Sequence, residues 1–239
     1  MSYVKKYDVG EINVDLINAV NFDEGPFMQY THEQPLFSFG DVQHSINVSL
    51  VFNYAKYRED KANGTNSFFI SPGYKLNLQK TVKTDQFNNP IVYYGEDGKR
   101  VTLKTVGNTA TFSDDSQRIL RKKEVSNRLN LIPGGNIIPG VDNVIYNYTV
   151  EYPDFSKEKF NESGRITNVY DKYDNCYLSY TYDESGRLVR EVLTERMTYR
   201  GGGSKRREFI YLYDETGIAG FLHSYNGAAL KPYYFHKNL

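Results

Sequence analysis

The chain has 239 residues with 29 Lys+Arg against 29 Asp+Glu, a formal net charge of zero, and a sequence pI near 6.9. That balance supplies no field for nucleic acid or an anionic membrane surface, so no nucleic-acid partner is expected. Hydrophobic residues at 39% and aromatics at 15% exclude a disordered composition. Tyr is counted 22 times, Phe 14 times and Trp never. Tyrosine suits strands and half-wet surfaces, so the composition points to an all-β fold with much accessible sheet.

Period-2 patterning runs along the chain. Ile46, Val48, Leu50 and Phe52 share one face while Asn47, Ser49 and Asn53 share the other, which predicts a half-buried strand. Tyr74, Leu76 and Leu78 alternate with Lys75, Asn77 and Gln79, and Val101 and Leu103 with Thr102 and Lys104. Val144, Tyr146, Tyr148, Val150 and Tyr152 alternate with Ile145, Asn147, Thr149 and Glu151. Turn-prone clusters separate the runs: Asn63-Gly64, Pro72-Gly73, Asn88-Asn89-Pro90, Asp97-Gly98, Pro133-Gly134-Gly135-Asn136 and Pro139-Gly140. Short strands with turns every ~8–12 residues predict an antiparallel hairpin meander. Ser113 to Leu129 fits two alternatives, a short helix or a hairpin turning at Asp114-Asp115-Ser116, and its poor helical stripe favours the hairpin. Gly201-Gly202-Gly203-Ser204-Lys205-Arg206-Arg207 reads as a loop between strands, because it lacks the spacing of a phosphate loop.

One unit recurs. Phe160-Asn161-Glu162-Ser163-Gly164-Arg165-Ile166 matches Tyr182-Asp183-Glu184-Ser185-Gly186-Arg187-Leu188, and Tyr213-Asp214-Glu215-Thr216-Gly217-Ile218 matches again. Tyr94-Gly95-Glu96-Asp97-Gly98-Lys99-Arg100-Val101 is a degenerate copy, and Tyr180 and Tyr211 extend the match upstream. In each copy the aromatic residue ends an incoming strand. The following Asp or Asn caps a turn through its side chain. The Gly takes φ > 0 and closes a type I turn with a bulge. Arg187-Leu188 begins a return strand. A single such hairpin is marginal, so stability comes from its neighbours.

Tyr180 to Leu188, written Tyr-x-Tyr-Asp-x-x-Gly-Arg-Leu, resembles the YD repeat of the Rhs and teneurin family, as do Phe209 to Gly217 and the run Tyr233 to Leu239. Residues 7–14, Gly25-Pro26 and Pro72 to Leu78 resemble the stretch that precedes the repeats in bacterial wall-associated Rhs proteins. The resemblance implies a partial YD-repeat β-spiral or shell. In relatives such a shell encloses a C-terminal effector domain or serves adhesion at the cell surface. The implied division is 1–85, an N-terminal β segment, and 86–239, a repeat region incomplete at its C-terminus. Implied partners are the rest of a shell or an encapsulated effector. The implied location is secreted or surface-associated. The opening residues Met1 to Asp8 carry no signal-peptide pattern, which leaves a cytoplasmic location open.

No catalytic chemistry is expected. His32, His44, His223 and His236 have no His or Cys at metal-ligand spacing, and neither G-x-S-x-G nor H-E-x-x-H occurs. Cys176 is the sole cysteine, so it forms no intrachain disulfide and reads as an ordinary thiol. Paired acids such as Asp183-Glu184 and Asp214-Glu215 suit glycosidase chemistry or calcium, but they repeat at one turn position, which argues for turn building. The residues singled out are therefore structural: Phe160, Asn161, Gly164, Arg165, Tyr180, Tyr182, Asp183, Gly186, Arg187, Tyr211, Tyr213, Asp214 and Gly217. No cofactor, metal or membrane span is expected. The expected function is a non-enzymatic section of a shell that self-associates through open sheet edges. A tyrosine-rich module binding glycan or a surface protein is the alternative, and a carbohydrate-active enzyme the third reading.

Overall fold

The computed structural model describes residues 31–40, 45–64, 72–126, 144–196, 203–215, 217–229 and 232–234. Residues 7–14, 25–26, 133–136, 139–140, 201–202 and 235–239, singled out above, lie outside them. In chain order the elements are β1 (Thr31–Gly40), β2 (Ser45–Asn53), α1 (Tyr54–Asn63), β3 (Tyr74–Leu76), β4 (Thr81–Thr84), β5 (Pro90–Tyr94), β6 (Arg100–Val106), β7 (Thr109–Phe112), β8 (Ile119–Ser126), β9 (Val144–Glu151), β10 (Lys157–Phe160), β11 (Ile166–Tyr170), β12 (Cys176–Tyr182), β13 (Leu188–Arg196), β14 (Ser204–Asp214), β15 (Gly217–Tyr225), β16 (Ala228–Ala229) and β17 (Tyr233–Tyr234). The fold is all-β with one short helix among the described residues. The chain divides into two units. The first is Met1–Lys80, Tyr94–Arg100 and Tyr177–Leu239; the second is Thr81–Tyr93 and Val101–Cys176.

In the second unit the strands neighbour one another in the order β4 to β11, and the ladders from β6 to β11 are antiparallel. Ser113 to Ser126 takes the hairpin alternative: the chain turns after β7, and β8 pairs back with Thr109↔Arg121. Cross-strand rows build the core. Ala110, Leu120, Val150, Glu158 and Val169 are successive partners and all are buried. Tyr148, Phe160 and Ile166 form a second buried row. Each aliphatic or aromatic side chain so buried contributes about 1.5–3 kcal/mol.

The sheet of this unit rolls back on itself. β5 and β10 stand five places apart in strand order, which in a flat sheet is roughly 24 Å. Yet the Tyr93 hydroxyl of β5 donates to Glu158 Oε2 of β10 at 3.0 Å. The Tyr93 ring meets Phe112 and Phe160 edge-on at 5.3 and 6.1 Å between centroids. The roll is fastened at its rim by Val82 N–H donating to Gly164 O at 2.7 Å, beside a Thr81↔Arg165 bridge.

In the first unit β1, β2 and β3 form an antiparallel sheet. β12 to β15 form an antiparallel run, with β16 and β17 both on β15. Here the half-buried reading of Ile46 to Asn53 is corrected. Val48 through Asn53 are all buried, as are Tyr74 through Gln79, so both faces are covered. Polar side chains on the second face replace ladder partners: Ser49 N–H donates to Asn77 Oδ1 at 3.0 Å, and Asn77 Nδ2 donates to Asn47 O at 2.7 Å. Alternation fails because the residues chosen are polar yet bonded inside.

Sequence periodicity assigns no helix at Tyr54–Asn63, since its buried members are Lys56 and Asp60, not an apolar stripe. The helix is made by its ends. Asn53 Oδ1 caps Lys56 N–H at 2.8 Å, and Gly64 at φ 61° closes the C-terminus. Lys56 Nζ then meets Asp60 Oδ1 at 2.7 Å, while Asp60 Oδ2 accepts Gly73 N–H at 3.0 Å.

Candidate functional site

Most of the residues picked from the sequence lie in or beside the repeated corners, and Tyr180 and Tyr211 lie within β12 and β14. At 161–165, Gly164 N–H donates to Asn161 O, Asn161 N–H to Arg165 O, and Arg165 N–H to Asn161 Oδ1, each at 2.9 Å. At 183–187 the same three bonds recur at 2.9, 3.0 and 2.8 Å. Gly164 and Gly186 sit at φ 70° and 82°. A strand bulge precedes each corner, at Lys159/Phe160 and Thr181/Tyr182. This is the expected turn with its glycine bulge. In the degenerate copy, Gly98 takes φ 71° and donates to Gly95 O at 3.2 Å.

Two further corners have the same geometry without glycine. Asp85 to Asn89 and Asp171 to Asn175 repeat all three bonds, with Asn88 and Asp174 at φ 59° and 64°. Asn and Asp tolerate this region best among L-residues. Their Asn89 and Asn175 amides also return to the second oxygen of Asp85 and Asp171, at 3.1 and 3.0 Å, where Arg187 Nε returns to Asp183 Oδ2 at 2.7 Å. The signal was readable: Asp, then Asn or Asp three places on, then Asn.

The third copy departs. Tyr213 pairs with Ile218 and Asp214 with Gly217, whereas Phe160 pairs with Ile166 and Tyr182 with Leu188. The loop is one residue shorter because no Arg stands between Gly217 and Ile218. Gly217 accordingly lies in the ladder, at φ 123°.

The corners engage Asp85, Asp171 and Asp183 in turn bonds. Phe160, Tyr180 and Tyr211 are buried and Tyr182 is half-buried. The Arg187 guanidinium lies 5.1 Å over the half-buried Tyr213 ring, whose hydroxyl donates to Leu188 O at 2.7 Å. Other outward tyrosines are likewise capped by cations: Lys122 over Tyr146 at 4.1 Å, Lys159 over Tyr170 at 4.3 Å, Arg207 over Tyr225 at 4.7 Å. Partial burial opposes ionisation of Asp183, but the Arg187 N–H bonds and charge prevail and hold its carboxyl below the usual range. Asp85 is held low chiefly by the backbone N–H of Asn89. Cys176 is an exposed thiol with Asn168 Nδ2 at 3.5 Å.

The buried groups Glu158, Glu191 and Lys75 and the half-buried Arg118 escaped the pattern. Glu158 lies in the apolar row of the second unit under the Tyr93 hydroxyl. Burial, then the Glu158 charge, pushes the Tyr93 phenol well above its usual range. Arg118 stands over the rings of Phe112, Tyr93 and Tyr152 at 4.3, 5.1 and 5.8 Å and pairs with Asp114. Glu191 of β13 has 0% exposure, and its Oε2 accepts the Tyr211 hydroxyl at 2.8 Å. Burial raises its carboxyl to about 8 against the opposing hydrogen bond from Tyr211. Lys75 is 3% exposed and donates to the carbonyls of Leu76, Asn77 and Glu96 at 3.2, 3.4 and 3.5 Å. Burial, then the nearby Lys80 charge, lowers its ammonium to about 7. The sequence hint for Glu158 was its place two residues before Phe160; Glu191 sits in a run without alternation and gave none.

Among the described residues no group of three or more His, Cys, Asp or Glu is placed to hold a metal ion, and no helix is long and apolar enough to cross a membrane. The sequence matches no protein-family model and no curated protein.

Proposed function

We propose that the chain is a non-enzymatic structural section of a β-shell of the YD-repeat kind, in which corners set the path of the sheet. The observation that carries this reading is the recurrence of one hydrogen-bonded corner at 85–89, 161–165, 171–175 and 183–187. A reactive site needs its acids once and free; Asp85, Asp171 and Asp183 recur at one corner position, each accepting a backbone N–H, and uncharged Asn161 fills the same place. The rolled sheet of the second unit supports the same reading, since a shell wall must curve. In the relatives that the sequence resembles, such walls enclose an effector or meet a cell surface, and the partners proposed here are further shell segments or such an effector. Unpaired strand edges then drive association. Light scattering on the isolated chain is expected to show oligomers; a monodisperse monomer contradicts the reading. Hydrolytic activity lost in a single-carboxylate variant overturns it outright.

A binding role is the second reading, favoured by two exposed corner rings, Phe155 at 75% and Tyr173 at 73% exposure, the latter with Lys172 Nζ 5.1 Å over it. Glycan or surface-protein binding lost on Phe155→Gly and Tyr173→Gly together supports it; binding unchanged by that pair of substitutions removes it.

A further inference from the structure

Glu191 is a wholly buried carboxyl of the first unit. Its neighbours on the same face can be named strand by strand. On β12, Tyr180 stands directly opposite and Tyr182 lies nearby. On β14, Phe209 is opposite, Tyr211 donates to Oε2, Tyr213 bonds Leu188 O, and the Arg207 guanidinium lies over Tyr225. On β15, His223 stacks on Phe209 at 4.7 Å with 2° between planes. Glu191 Oε1 is buried with no hydrogen-bond partner, and no ammonium or guanidinium of a described residue reaches salt-bridge distance of the carboxyl.

An ionised carboxylate in that setting would keep one donor and no counter-charge, which costs several kcal/mol. A protonated one costs far less, because a neutral acid needs no cation. We infer that Glu191 makes the β12–β15 sheet an alkaline-sensitive element: the sheet is tight while the carboxyl keeps its proton and opens when the proton leaves. The device goes beyond the structural role proposed above and stands whether or not that role holds.

The direction follows from linkage. The folded carboxyl titrates at about 8, above the 4.5 of an unperturbed glutamate. The stabilisation is therefore complete below about 4.5 and is lost as pH rises through about 8. Lys75 of the same unit works oppositely. Its folded ammonium titrates at about 7 against 10.5, so the unfolded chain holds more protons between those values and stability rises with pH there. A bare stability curve would blend the two, so the test must isolate Glu191.

Amide exchange of wild type and Glu191→Gln, corrected for intrinsic rates, does so. In wild type, protection at Val192, Leu193, Phe209 and Tyr211 should fall roughly tenfold or more between about pH 6 and about pH 9. In Glu191→Gln that fall should vanish, while the β3 amides of Lys75 and Leu76 follow the same curve in both proteins. An equal fall in both proteins overturns the inference. Should the variant not fold, infrared spectroscopy of wild type decides: a protonated-carboxyl band present at about pH 7 and lost by about pH 9.5 sustains the inference, and its absence at about pH 7 ends it. Tyr211→Phe removes the one donor that favours the ionised form, so it should move the transition to higher pH.

Discussion

Each unit buries a glutamate beneath a tyrosine hydroxyl, and the two pairs do different things. Tyr93 reaches Glu158 from a strand five places away, so their bond holds a rolled sheet closed. Tyr211 reaches Glu191 from the adjacent strand, so their bond adds nothing that the ladder does not already fix. The first pair works with Arg118, whose guanidinium lies over Tyr93, and with Val82 and Gly164 at the rim. The second has no such support, and one oxygen of Glu191 is left without a donor. A buried acid is thus a staple where the chain must come round to meet it, and a titratable weakness where it sits among its own neighbours.

The largest effect should come from unfastening the roll. A Cβ on Gly164 would lie 1.9 Å from Val82 O, which is backbone and cannot swing aside. Gly164→Ala should cost about 3–5 kcal/mol, read from urea denaturation, with exchange at Val82 rising first. A loss under about 1 kcal/mol would show that the rim is not held there. Next is the staple itself. Tyr93→Phe leaves Glu158 buried without that donor and should cost about 1–3 kcal/mol. Tyr211→Phe should cost less at neutral pH, because Glu191 is then mostly protonated; equal costs would erase the distinction between the pairs.

The corners give smaller effects. Asp183→Ala removes a side-chain cap at 183–187 and should cost about 1 kcal/mol by the same measurement, with the loss largest well above the carboxylate range and shrinking as acid protonates wild-type Asp183, whose folded carboxyl is held low. Smallest is a gain. Phe155 holds φ 70°, where the other corners place Gly, Asn or Asp, and its ring is exposed. Phe155→Gly relieves that strain against the added freedom of the unfolded chain and should stabilise by about 0.5 kcal/mol. A destabilised variant would mean that the ring packs on something.

What the sequence discloses follows the same division. Hairpins with one covered face announce themselves, because Leu103, Tyr148 and Val150 alternate with wetter residues and the corners carry Asn161, Asp183, Gly164 and Gly186 in plain view. Corners built on Asn88 and Asp174 lack the glycine, so they read as turns and not as copies of the repeated unit. The third copy shares the Tyr, Asp and Gly of the others, yet Tyr213 to Ile218 is one residue short, and its pairing shifts accordingly. Around α1 the rules lapse. Lys56, Asp60, Lys75 and Asn77 are buried there because each meets a specific backbone or charged group. Polar residues at such positions read as surface until tertiary partners are known. Glu191 is the extreme case, a charge-bearing residue in a run of Val and Leu whose partner, Tyr211, lies 20 residues on.

The proposed role rests on corners that set the path of the sheet, and removing their side-chain caps together asks this directly. Urea denaturation of Asn161→Ala, Asp171→Ala and Asp183→Ala, singly and combined, should show each substitution lowering the midpoint and the triple variant lowering it by close to their sum, because each side chain caps the backbone of its own corner. A triple variant as stable as wild type would contradict the account.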